Sequence, residues 1–124
     1  MEEFEDKRKH QRIKADWPAL IKFDGKEIEC RTENISLEGV YIISDEILPI
    51  DELIKISLKP EHHEIINFYG KVIRANIYGI NKFGKAYGAG VLFVEKSEID
   101  SKQYDSFYSF LLKKFQYNDY GKRT

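Results

Sequence analysis

At 124 residues the chain is long enough for one domain and leaves little room for a second. Its composition, 42% hydrophobic and 33% charged, is that of an ordinary globular protein and excludes a disordered one. The formal net charge of −1 argues against a protein that holds long nucleic acids by bulk electrostatics.

The chain opens on an acidic run, Met1 to Asp6, without the basic start and apolar stretch of a secretory signal. No apolar run is long enough to span a bilayer. The expected setting is the cytoplasm. Lys7 to Lys14 then packs Lys7, Arg8, Lys9, Arg12 and Lys14 into one short segment. A cluster this small suits a small anion better than a duplex.

From Ala15 onward the pattern is that of strands. Trp17 to Phe23 reads as the first, with Pro18 near its start, where a missing N–H is tolerated. Asp24-Gly25 is a hairpin-turn dipeptide. Lys26 to Asn34 alternates, with Ile28 and Cys30 on one face and Glu27, Glu29 and Arg31 on the other. After a turn at Ser36–Gly39, Val40 to Ile43 reads as a buried strand. Leu53 to Leu58 alternates again and is closed by Pro60. Ile65 to Ile77 is a longer strand, Tyr78 to Lys85 has the Gly and Asn content of a hairpin loop, and Ala86 to Val94 returns. Six short antiparallel strands predict a mainly β protein, and a barrel is favoured over a sandwich because closure removes exposed edges.

The period then changes. Between about Ser101 and Phe115, Tyr104, Phe107, Tyr108, Leu111, Leu112 and Phe115 form one helical stripe, as expected of a C-terminal α-helix packed on the barrel. Phe110 lies off the stripe and reads as an isolated exposed aromatic or a partner contact. The expected organisation is a flexible arm over residues 1–14, barrel plus helix over 15–116, and a polar tail over 117–124.

Candidate reactive groups are few. His62 and His63 sit in a charged loop without ligand spacing and read as solvated, so no metal site is expected. Cys30, the single cysteine, excludes an internal disulfide and reads as a buried thiol. No phosphate-binding loop of the Walker or dinucleotide type occurs. Neither an enzyme nor a cofactor is expected.

Two motifs remain. Arg8-x-x-x-Arg12 precedes the first strand, and Asn34-Ile35-Ser36-Leu37-Glu38-Gly39 occupies the turn between the second and third. Arginines four apart in an extended segment project to one side, roughly 13 Å apart; in an irregular segment they can converge on one group. Asn34 offers a donor and an acceptor, and the Ser36 hydroxyl can act as either. Gly39 permits a positive φ or a close backbone approach. Taken singly, each motif is a common pattern: a solvated basic run, or an Asx or Ser turn that needs no ligand.

In this order, separated by a strand pair, the motifs resemble the arginine motif and the D/N-x-S-x-x-G motif of the PilZ family. Gly88-Ala89-Gly90-Val91-Leu92-Phe93 and Gly70-Lys71-Val72-Ile73-Arg74 resemble two further strands of that family. The resemblance implies a split β-barrel and a receptor for cyclic di-GMP, with Arg8, Arg12, Asn34, Ser36 and Gly39 as ligand-binding residues. It implies that the arm orders over the bound dinucleotide and signals to a protein partner in motility, adhesion or matrix production.

The chemistry agrees, because arginine can pair with guanine O6 and N7, grip a phosphate or stack on a purine. Asn34, being neutral, pairs less strongly with the guanine N1–H and N2–H2 donors than the carboxylate the family also allows. Lys7, beside the arginine motif, is a further candidate by resemblance alone. Arg74 follows the parity of Phe68, Gly70 and Val72, which puts it on the inward side. There it either reaches the ligand or pairs with an acidic neighbour, and pairing is favoured. The competing readings are a ligand-free adaptor of the same fold and a small barrel that binds single-stranded nucleic acid. The latter would use Tyr69, Tyr78, Phe83 and Tyr87 as stacking groups.

Overall fold

The structure is a computed structural model that describes residues 12–81, 84–94, 106–107 and 109–113. Its strands are β1 (Ile13–Lys14), β2 (Pro18–Phe23), β3 (Lys26–Ile35), β4 (Gly39–Ser44), β5 (Leu53–Leu58), β6 (Ile66–Asn81) and β7 (Gly84–Val94). The antiparallel order β3-β2-β5-β6-β7-β4 returns to β3 through the β3–β4 pairing, so six strands close a barrel and β1 adds to β3. Residues 106–107 and 109–113 are helical. The expected barrel and C-terminal helix are both present.

Alternation explains the core. β3 buries Ile28, Cys30 and Thr32, and β5 buries Ile54, Ile56 and Leu58, while their neighbours face outward. The β2–β3 connection is the expected tight turn, with Asp24 and Gly25 at φ 52° and 74°. Those paired positive angles suit the right-handed twist of the flanking strands. From the helix, Phe107 and Leu111 are fully buried. Phe107 meets Phe68 and Phe93 edge-on, at ring-centroid distances of 4.9 and 6.0 Å.

Three expectations about side chains need correction. Phe110 is not isolated: it packs on Trp17 at 5.8 Å and on His63 at 4.8 Å and is half-buried. His63 is therefore half-buried rather than solvated, while His62 is exposed. Leu112, placed on the buried stripe by periodicity, is 39% exposed. Among the described residues the packed face is Phe107, Phe110 and Leu111, with Phe110 seated against Trp17 and His63. Tyr104, Tyr108, Phe115 and the tail from 117 lie outside the described residues.

The β6–β7 hairpin also differs. The ladder continues through the expected loop to Asn81 opposite Gly84, with a register shift between Ile77 and Gly79. A two-stranded ribbon beyond the barrel twists strongly and accepts glycine and bulges, so Gly and Asn do not end it.

β1 falls where the sequence suggests only an arm. Ile13 pairs with Ile35 and Lys14 with Asn34, and the Ala15 N–H continues the ladder to the Glu33 carbonyl at 3.1 Å. Thr32, buried in the core, fastens this segment: its Oγ1 accepts the Trp17 N–H at 2.9 Å and its hydroxyl donates to the Ala15 carbonyl. Outside, Arg31 holds Asp16 through its carboxylate at 2.5 Å and its carbonyl at 2.9 Å.

Thr32→Val keeps the shape but strands the Trp17 N–H and the Ala15 carbonyl. It should lower the unfolding free energy by about 1–3 kcal/mol in urea titration, and an unchanged midpoint would show that the hydroxyl is not a fastener. Cys30 gives a second check. Burial pushes its thiol from 9.0 up to about 12, so the folded protein holds this proton more tightly than the unfolded chain. Its contribution to stability is complete below pH 9.0 and is lost as pH rises towards 12. A thiol reagent near neutral pH should label Cys30 only after denaturant is added.

Candidate functional site

Arg12, the described end of the arginine motif, meets the second motif because β1 runs beside β3. With Ile13 opposite Ile35, the residue before β1 is delivered to the turn that follows β3. Arg12 thus lines the same cleft as Asn34, Ser36 and Gly39, an outward-facing hollow of about 740 Å3 between the β3–β4 turn and the β6–β7 ribbon. Arg8 and Lys7 lie outside the described residues.

The turn is built by its own residues. The Ser36 N–H donates to the Gly39 carbonyl at 2.9 Å, and the Ser36 Oγ accepts the N–H groups of Glu38 at 3.1 Å and Gly39 at 3.3 Å. Ser36 is buried, so its oxygen primarily holds the turn and its hydroxyl proton remains to be donated. Buried Leu37 anchors the turn to the core, and the Phe93 N–H reaches the Glu38 carbonyl at 2.8 Å. Of the two reasons for glycine at position 39, close approach is the one realised. A Cβ there would stand 2.2 Å from the Val91 carbonyl oxygen.

Two β-bulges supply the rest of the wall. β3 and β4 change register between Thr32 and Asn34, and β6 and β7 between Val72 and Arg74. Each bulge leaves two consecutive side chains on the outer face, Glu33 with Asn34 and Ile73 with Arg74, and all four line the cleft. Arg74 is therefore exposed rather than inward, because the bulge at Ile73 reverses the parity carried from Phe68 to Val72. It takes no acidic partner among the described residues: the ion pairs there are Lys22–Glu27, Lys26–Glu46, Arg31–Asp16 and Lys71–Asp51. Two guanidinium groups, Arg12 and Arg74, thus face one hollow, which the carboxylates of Glu33 and Glu38 also line.

Sequence reasoning did not single out Tyr41, Asn76 or Glu33. Tyr41 spans the cleft floor, its hydroxyl donating to the Asn76 Oδ1 at 2.8 Å. Its ring occupies the space over Gly88, where a Cβ would meet the hydroxyl at 2.0 Å. The pairing of a small residue on β7 with an aromatic on β4 was the available signal. Glu33 accepts the Tyr78 hydroxyl at 3.0 Å, which raises the Tyr78 pKa through that hydrogen bond and the nearby carboxylate charge. Among the described residues no group of histidine, cysteine and carboxylate side chains could hold a metal. No described helix is long and apolar enough to cross a membrane.

The cleft presents two planar cations, two carboxylates, amide and hydroxyl groups and a backbone approach kept open by Gly39. Such a surface matches a small ligand with negative charge and hydrogen-bonding rings. Solved structures share this architecture. The PilZ domain of YcgR from Escherichia coli, determined with c-di-GMP, aligns with a TM-score of 0.66 at 16% identity, over 90% of this chain and 97% of that one. The Bacillus subtilis inhibitor of motility MotI/DgrA aligns at 0.67 and 16%, over 90% of this chain and 52% of that one. PlzA of Borreliella burgdorferi in complex with c-di-GMP aligns at 0.57 and 14%, over 90% and 55%. The chain thus spans nearly all of the first and about half of the other two. No curated protein matches the sequence. The PilZ domain family matches residues 6–109, a range that takes in both motifs and both bulges, and the chain belongs to that family.

Proposed function

We propose that this protein is a receptor for cyclic di-GMP, not a catalyst, and that the cleft between the β3–β4 turn and the β6–β7 ribbon is its binding site. The observation that carries this reading is the convergence of Arg12, Asn34, Ser36, Gly39 and Arg74 on one hollow, although they come from distant parts of the sequence. Support also comes from the folds of YcgR and PlzA, both determined with c-di-GMP.

The roles follow from chemistry. Arg12 and Arg8 address the guanine O6 and N7 edge or a phosphate with the guanidinium fork, which lysine cannot reproduce. Asn34 meets a base edge, the Ser36 hydroxyl donates, and Gly39 lets the ligand approach the backbone. Arg74 adds the second described cation facing the cleft, suited to a ligand with two phosphates. Lys7 is assigned a secondary contact. The N-terminal segment carrying Arg8 closes over the bound dinucleotide, its ordering cost offset by charge-assisted pairing. A downstream protein in the cytoplasm then reads the altered surface, with an output in motility, adhesion or matrix production.

Calorimetric titration with cyclic di-GMP, with cyclic di-AMP as the control, tests the reading. Arg8→Ala and Arg12→Ala should each weaken binding by about 1–3 kcal/mol, the scale of one bidentate guanine contact. Wild-type affinity in both variants would remove these role assignments. A wild-type chain that binds no cyclic di-GMP would favour a ligand-free adaptor.

A further inference from the structure

Glu33 belongs to neither motif. Strict alternation along β3 places it outward with Glu29 and Arg31 and sends Asn34 inward with Cys30 and Thr32. The bulge changes that relation. Thr32 faces Ile42 across the ladder and Asn34 faces Tyr41, which makes Glu33 the extra residue. Thr32 and Ile35 on either side are buried, so Glu33 and Asn34 are presented together on the outer face and both line the cleft beside Arg12.

Glu33 is also held. Its Oε2 accepts the Tyr78 hydroxyl at 3.0 Å, across from the β6–β7 ribbon. That bond restricts the rotamer and occupies only part of the carboxylate's accepting capacity, leaving Oε1 available.

We infer that Glu33 is a guanine-selecting residue whose carboxylate accepts the N1–H and N2–H2 donors of one base, with Tyr78 as its positioning residue. This rests on the cyclic di-GMP reading and deepens it. Asn34 brings one neutral acceptor to such an edge, whereas a carboxylate meets two parallel donors with charge assistance. Arginine engages the opposite O6 and N7 edge, so the two groups together read both sides of a guanine. Adenine carries an acceptor at N1, and hypoxanthine lacks the 2-amino group. Neither can satisfy a carboxylate as guanine does.

The test is a ligand-by-residue cycle on the full chain, titrating cyclic di-GMP and cyclic di-IMP into wild type and Glu33→Gln. Wild type should prefer cyclic di-GMP by on the order of 10-fold or more, the scale of a hydrogen bond to a charged group. Glu33→Gln should lose a similar factor for cyclic di-GMP while its preference collapses towards unity. Glu33→Asp, which keeps the charge, should retain more of the preference than Gln. Tyr78→Phe should lower it by a smaller factor than Glu33→Gln, and an unchanged ratio would remove the positioning role. A Glu33→Gln chain with the wild-type guanine-over-hypoxanthine ratio overturns the inference while leaving the receptor reading intact. A wild-type chain that binds neither dinucleotide overturns the receptor reading itself.

Discussion

The site depends on the pairing of β1 with the end of β3. Two residues of ladder, Ile13 with Ile35 and Lys14 with Asn34, bring Arg12 to the turn after β3. So short a strand has little stability alone, and its neighbours hold it. The buried side chains of Ile13, Ala15 and Trp17 join the core, and the Thr32 hydroxyl bonds on both sides of Asp16. Free, the basic residues would behave as a solvated run. Fastened, at least Arg12 is fixed against the cleft.

The second constraint is the interruption of alternation. A barrel wall normally sends every other side chain into the core, which leaves the outer face sparsely supplied with consecutive polar groups. Bulges in β3 and β6 break that rule at two places facing each other across the β4–β7 pairing. Each adds a side chain to the cleft, Asn34 beside Glu33 and Arg74 beside Ile73. The tight approach of the turn to β7, where Gly39 leaves no room for a Cβ against Val91, closes one end of the hollow.

Much of this was legible in the sequence, for physical reasons that also mark where legibility stops. The Asp24-Gly25 turn and the alternation along β5 and the first part of β3 each depend on local geometry, and each appears in the structure as expected. Arg74, Phe110, His63 and the reach of the β6–β7 ribbon depend on contacts between distant segments. Parity counting sent Arg74 inward because a bulge leaves no compositional mark. Phe110 read as exposed because Trp17 and His63, which cover it, are far away in sequence. The motifs themselves were visible, but not the short strand that joins them, since Ile13-Lys14 inside a basic run carries no strand signal. Glu33 escaped notice for the same reason as Arg74.

The central claim is that one cleft, assembled by β1 and the two bulges, receives the dinucleotide. Backbone amide spectra recorded while cyclic di-GMP is added test it most directly. The largest shifts should fall on Arg12, on Glu33 to Gly39 and around Ile73 and Arg74, with the β5 strand and the β2–β3 turn nearly unmoved. Shifts concentrated on the helix or the β2–β3 turn, or no shifts at all, would contradict it.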